Sequence, residues 1–138
     1  LIVGEGERRK LLEAQVVETK ARVVLAGFRQ DAQRLLAAAD SLVISSRNEG
    51  GPYTLVDALL VNVPVVSTAV GMVKEFVPEQ LIVPVEDVEA LAERMQGAVS
   101  HLDEWRELMQ ASWQKAQQQL TLEAMVQKTQ KIYTAIAV

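Results

Sequence analysis

An α/β fold built on a Rossmann-like parallel sheet, with helices on both faces and a helical C-terminal tail, is predicted by three features of the sequence. Short β-branched runs alternate with longer helical patterns, each run is continuously apolar, and the connections between them are short. Continuous apolar strands fit a sheet covered on both faces. Strand–helix alternation with short loops implies right-handed crossovers between parallel strands.

The predicted strands are Leu1–Val3, Val23–Ala26, Leu42–Ser45, Val65–Thr68 and Leu81–Val83. Helical patterns lie between them at Glu7–Thr19, Asp31–Ala39, Thr54–Val61 and Val73–Val77. From Asp87 onward the strand signal ends and three helices follow. Asp87 is placed to cap the first, which runs to Ser100; the second spans Asp103–Gln119, and Thr121 is placed to cap the last. In the second, Leu102, Trp105, Met109, Trp113, Ala116 and Leu120 recur at three- and four-residue steps. That spacing makes one apolar stripe, which reads as packing rather than a cofactor box.

With 138 residues the chain fits a single domain, 1–138, with a core over 1–100 and C-terminal helices over 101–138. A hydrophobic share of 49% and a charged share of 23% are those of a globular domain, and the net charge of −4 argues against nucleic acid as a partner. Cysteine is absent, so disulfides and thiolate metal sites are excluded, which fits a reducing compartment. No apolar run approaches the roughly 20 residues of a membrane span. Leu1-Ile2-Val3-Gly4 lacks an initiator Met and a signal-peptide layout and reads as the middle of a strand. The chain is therefore expected to be a piece of a larger protein.

In open parallel sheets, ligands bind at the carboxyl ends of the strands. The loops expected there are Gly4-Glu5-Gly6, Gly27-Phe28-Arg29, Ser46 to Tyr53, and Ala69-Val70-Gly71. Glycine in each lets the backbone turn sharply or approach a ligand. Gly4-Glu5-Gly6 does not extend to a dinucleotide fingerprint, because Arg9 stands where the third glycine belongs and no acidic residue ends the next strand. The stretch S-R-N-E-G-G-P-Y-T-L-V-D, Ser46 to Asp57, admits two readings. Thr54-Leu55-Val56-Asp57 has the spacing of a capping box, so Asp57 caps its own helix. Alternatively, the helix start offers free N–H groups and a positive dipole end to a phosphate. Glu49 and Asp57 would then accept hydrogen bonds from hydroxyls at the two ends of a sugar–diphosphate–ribose molecule. Arg29 and Arg47 are either phosphate partners or solvated, and His101, the single histidine, is expected to face solvent without a metal.

Glu49-Gly50 and Pro52 through Asp57-Ala58 resemble the E-x7-E motif of retaining GT-B-fold glycosyltransferases of the glycosyltransferase family 4 type. Leu1–Gly6, Val24–Phe28, Ala37–Ser46, Pro64–Thr68 with Gly71, Glu75, and Val88–Ala92 are similar to further family segments in the same order. The resemblance covers Leu1 to Ala98 and implies a nucleotide-sugar-binding core that is one half of a GT-B fold. The acceptor domain and the first βα unit, with the Arg and Lys that grip the diphosphate, would precede Leu1. The family pattern implies that Glu49 is the catalytic residue and contacts donor-sugar hydroxyls. It places the backbone of Gly50, Gly51, Pro52, Tyr53, Thr54 and Leu55 near the sugar and diphosphate. Asp57 would lie at the ribose, Gly27 and Phe28 near the base, and Gly4 and Gly6 in a turn facing the ligand.

It further implies a nucleoside-diphosphate sugar as substrate, a glycan, lipid or other small-molecule acceptor met by the absent half, no metal and no other cofactor. The expected location is the cytoplasm, which leaves room for attachment to a membrane's cytoplasmic face through the absent half. The 138 residues alone are expected not to turn over. Three departures from the pattern stand out: Asp57 for Glu, Asn62 for a glycine, and Met72 for the second glycine of a pair. Asp57, Met72 and a family loop shortened to Pro78-Glu79-Gln80 favour one alternative, a degenerate GT-B scaffold without catalysis, whereas Asn62 is expected to be harmless. A GT-B-fold sugar-nucleotide epimerase is the other alternative.

Overall fold

The computed structural model describes residues 1–136. Its contacts group into two compact units, one of residues 1–35 and one that begins at residue 36, and each is described by itself.

In the first unit, residues 2 and 25 pair as a single parallel bridge. The Ile2 N–H donates to Val24 O at 2.9 Å and the Ala26 N–H donates to Ile2 O at 2.9 Å. Two full strands were expected here. The pairing breaks because Gly27 enters the left-handed region at φ 69° and Gly4 adopts φ 135°, so that the Gly4 N–H turns to Gly27 O. Leu1, Ile2, Val3 and Val24 are exposed, so little apolar burial holds a longer ladder. Helix α1 (Arg9–Thr19) follows and ends at Lys20, whose left-handed backbone donates its N–H to Val17 O. Arg9 fastens the helix start, donating to Glu5 and Glu13 at 2.7 and 2.8 Å and to the Leu25 carbonyl at 3.4 Å. Helix α2 (Ala32–Ala37) is shorter than expected.

The second unit holds the sheet. Strands β1 (Leu42–Ile44), β2 (Val65–Thr68) and β3 (Ile82–Val83) are parallel and lie in sequence order, with Leu42 opposite Val65 and Ser67 opposite Ile82. All four residues of β2 are buried. Since successive side chains point to opposite faces, both faces of this central strand are covered. Helix α3 (Tyr53–Leu60) packs on β1 and β2, helix α5 (Val88–Ser100) packs on β2, and helix α6 (Leu102–Gln119) packs on α3, on α5 and on the short helix α4 (Val73–Phe76). The α6 stripe behaves as packing: Trp105, Met109, Trp113 and Ala116 are buried in the core with Leu55, Leu59, Val66 and Phe76. Gly97 on α5 admits the Trp105 ring, since a Cβ there would stand 3.1 Å from it.

Both predicted caps form. The Asp87 carboxylate accepts the Ala90 N–H at 2.9 Å, and the Thr121 hydroxyl accepts the Ala124 N–H at 3.2 Å, opening helix α7 (Leu122–Ile136). Asn62 sits at φ 59°, the left-handed conformation in which asparagine replaces glycine at least cost. It lets the chain turn out of α3, with the Val63 N–H returning to Ala58 O at 2.9 Å.

Candidate functional site at the carboxyl edge

Because β1, β2 and β3 are parallel, the loops leaving their carboxyl ends share one edge of the sheet. The loop from Ser45 to Pro52 leaves β1, Ala69 to Met72 leaves β2, and Pro84 to Asp87 leaves β3. They are bonded to one another. The Met72 N–H donates to Gly50 O at 3.1 Å. Gly71, at φ 45°, lies so close to the first loop that a Cβ would stand 2.2 Å from Gly50 O and 2.5 Å from Glu49 O. Met72, half-buried against the core, puts its sulfur 3.0 Å from where a Gly51 Cβ would be. Met72 thus crowds the first loop, and Gly51, with no side chain, leaves room for its sulfur. Arg47 reaches across to Glu86, Nε to Oε1 at 2.9 Å, with both side chains exposed.

Glu49 is half-buried within this cluster. The Ser46 hydroxyl donates to its Oε1 at 2.8 Å. The Ser46 carbonyl in turn accepts from the hydroxyl of Thr68 at 2.6 Å, a residue only 3% exposed at the end of β2. The Ile44 carbonyl lies farther from the same hydroxyl, at 3.4 Å, so its single proton goes mainly to Ser46. Buried hydroxyls need partners. Polar Ser67 and Thr68 closing an apolar strand were the signal in the sequence that could have found this link.

Helix α3 starts one residue earlier than expected. Pro52 is its N-cap, Tyr53 its first residue and Thr54 its second. Thr54 is thus inside the helix and cannot be the cap of a capping box, and Asp57 falls in the second turn rather than the first. Tyr53 and Thr54 are at the start, where helical N–H groups have no partner within the helix. Tyr53 is 87% exposed, whereas Pro52 and Leu55 are buried and anchor the turn. The Leu55 N–H donates to Pro52 O at 3.0 Å, and the Leu55 side chain is fully buried in the core. Asp57 is half-buried.

In the first unit, Gly4 and Gly27 need their glycine conformations, and a Cβ at Gly27 would fall 2.7 Å from Glu5 Oε1. Gly6 has neither a positive φ nor a neighbour within 4 Å. Ile2, Gly4, Gly6, Arg8, Arg9 and Leu25 border a cleft of about 230 Å³. Phe28 presents an aromatic ring that is 74% exposed. Arg29 is engaged by Asp31 through two bonds at 2.8 and 2.7 Å, which hold the Asp31 carboxyl below its ordinary pKa. The Glu75 carbonyl accepts from Lys115 at 2.7 Å, and that ammonium lies 4.5 Å from the Phe76 ring centre, tying α4 to α6. His101 is exposed beside Glu104, as expected. Among the described residues no group of three or more His, Cys, Asp or Glu could hold a metal, and no helix is long and apolar enough to cross a membrane.

These features define an α/β half-domain of the GT-B kind, with glycine-bearing loops gathered at the carboxyl edge of a parallel sheet. The chain belongs to the family described as Glycosyl transferases group 1, whose profile matches residues 1–101. Its fold is similar to that of Anabaena Alr3699/HepE crystallised with UDP (TM-score 0.85, 22% identity), covering 96% of this chain and 40% of that one. A TarM variant from S. aureus, in complex with UDP, alpha-GlcNAc-glycerol and Fondaparinux, gives a TM-score of 0.83 at 17% identity, covering 96% and 28%. Sucrose-phosphate synthase from Thermosynechococcus elongatus gives 0.81 at 25% identity, covering 95% and 35%. The chain thus spans well under half the length of these structures. No curated protein matches the sequence significantly.

Proposed function

We propose that the chain is the donor-binding domain of a retaining glycosyltransferase, which transfers a sugar from a nucleoside-diphosphate sugar to an acceptor. The observation that carries this reading is the built carboxylate at the sheet edge: Glu49 is held by Ser46 on a loop clamped by Gly71 and Met72, directly before the start of α3. A carboxylate fixed there accepts hydrogen bonds from sugar hydroxyls. The N–H groups of Gly50, Gly51, Tyr53 and Thr54, with the positive end of α3, meet the diphosphate. Family membership supports sugar transfer, and HepE and TarM, whose folds are similar, were crystallised with UDP.

In this reading Asp57 accepts from the ribose, Phe28 and Gly27 border the base, and Gly4 and Gly6 shape the turn beside them. Leaving-group charge is met by amides and cationic side chains, with no metal ion. The acceptor, a glycan, lipid or other small molecule, is bound by a further domain. The transfer takes place in the cytoplasm.

The test is titration of the ¹⁵N-labelled chain with UDP, GDP, ADP and their glucose conjugates. The expected result is saturable shift of the Gly50–Asp57 amides by one nucleotide series, with Glu49→Ala weakening the sugar conjugate more than the bare nucleotide. If no nucleotide moves those amides, the chain is not a donor-binding domain.

A further inference from the structure

Glu49 is a half-buried loop carboxylate whose direction is set from inside the sheet. Ladder hydrogen bonding between β1 and β2 runs through the Ile44–Ser67 pair. Beyond it the chains part, one toward Glu49 and one toward Gly71. At that fork Thr68 continues the connection through its side chain, its hydroxyl donating 2.6 Å to the Ser46 carbonyl. Ser46 then donates 2.8 Å to Glu49 Oε1. Each hydroxyl has one proton, and each is spent in the direction of Glu49. An acceptor-only carboxylate at the end of such a chain has one oxygen committed and presents the other, Oε2, to a ligand.

Restraint from a second side reinforces the first. Gly50, the residue after Glu49, gives its carbonyl to the Met72 N–H, and Gly71 allows that approach. Both restraints originate in the five residues Thr68 to Met72. A loop held only at its backbone would leave the Glu49 side chain to choose among rotamers, at an entropic cost on binding.

We infer that Thr68 and Ser46 are positioning residues for Glu49: a two-hydroxyl relay from the buried strand β2 selects the Glu49 rotamer and the oxygen offered to the donor sugar. The inference rests on the proposed donor-binding reading only in naming what Oε2 meets. The orientation of the side chain is independent of it.

Two measurements separate the relay from that reading. The first needs no ligand. Three-bond couplings across the Glu49 χ1 bond should report one rotamer in the parent, averaged rotamers in Ser46→Ala and Thr68→Val, and a single rotamer again in Ser46→Thr and Thr68→Ser. Unchanged couplings in Ser46→Ala would overturn the relay whatever the chain binds.

The second uses UDP-glucose and UDP as probes. Losing a hydrogen bond that orients a charged group should lower UDP-glucose affinity roughly tenfold in Ser46→Ala and leave UDP within about twofold. Ser46→Thr should recover most of the loss, and Ser46→Ala added to Glu49→Ala should cost nothing more, as expected for a residue acting through another. If Glu49→Ala removes the preference for UDP-glucose while Ser46→Ala keeps it, the relay is refuted and the donor reading stands. If Glu49→Ala has no effect on that preference, the donor reading fails; if neither UDP probe binds, the GDP and ADP series decide that reading; in both cases the couplings alone decide the relay.

Discussion

Replacing Gly71 by alanine tests the central claim about how the sheet edge is built, that the β2 loop holds the Glu49 loop by backbone contact. Two separate penalties arise. At φ 45° an L-residue other than glycine costs about 1–2 kcal/mol. The added Cβ would also stand 2.2 Å from Gly50 O, 2.5 Å from Glu49 O and 2.8 Å from Gly50 C. These are backbone atoms, so no rotamer change relieves the overlap. To restore an ordinary contact of about 3 Å, Gly50 O must withdraw by roughly 0.8 Å, which strains its bond from the Met72 N–H. Overpacking of this kind costs about 1–3 kcal/mol. The expected loss is therefore about 2–5 kcal/mol, or a fall in Tm on the order of 10 °C for a chain of this size. Urea denaturation followed by far-UV circular dichroism measures it, with ¹⁵N shifts of Glu49 and Gly50 reporting the displaced loop. Gly50→Ala is the matched control. Gly50 lies outside the left-handed region and its Cβ would meet nothing within 4 Å, so its cost should stay within about 1 kcal/mol. A Gly71→Ala variant as stable as the Gly50→Ala control, with the Glu49 and Gly50 amides unmoved, would refute the reasoning.

Asn62 makes the same argument in milder form, since its φ of 59° suits glycine better than any side chain. Asn62→Gly should be at least as stable as the parent and Asn62→Val should lose about 1–2 kcal/mol, both read from urea midpoints. The Arg29–Asp31 pair carries a pH dependence of definite sign. The Arg29 hydrogen bond lowers the Asp31 pKa in the folded state, so the pair's stabilisation is complete above the ordinary aspartate value of about 3.9 and drains away as pH falls through the lower folded value. A ¹³C titration of Asp31 should show its midpoint rising in Arg29→Gln, and a midpoint that stays in place would remove the pair as the cause.

Much of this architecture can be read from residue patterns because it depends on neighbours along the chain. Val65-Val66-Ser67-Thr68 is apolar and β-branched with no alternation, which suits a strand buried on both faces, and β2 is the central strand. Asp87 and Thr121 are followed at the third position by the N–H groups they cap, a relation internal to one turn. The α6 stripe is legible for the same reason, since its three- and four-residue steps fix one face of a helix. Glu49 and the glycines beside it stand out as a cluster, and they lie within the residues that the family profile matches.

Other features lie outside local pattern because they depend on partners far along the chain. Leu1–Val3 and Val23–Ala26 have the composition of strands, yet their pairing stops after one bridge, where Gly4 and Gly27 turn the backbone out of register. Thr54 has the spacing of a cap, but burial of Pro52 and Leu55 starts α3 a residue earlier and carries Thr54 inside. Nothing local links Thr68 to Ser46, 22 residues away, or Gly71 to Gly50. Residue order therefore determines the helices, the three strands of the sheet and which carboxylate stands on a loop. Only the packing of the two loops against each other decides where that carboxylate points, because a hydrogen bond or a steric contact exists only once the sheet has brought its two halves within about 3 Å.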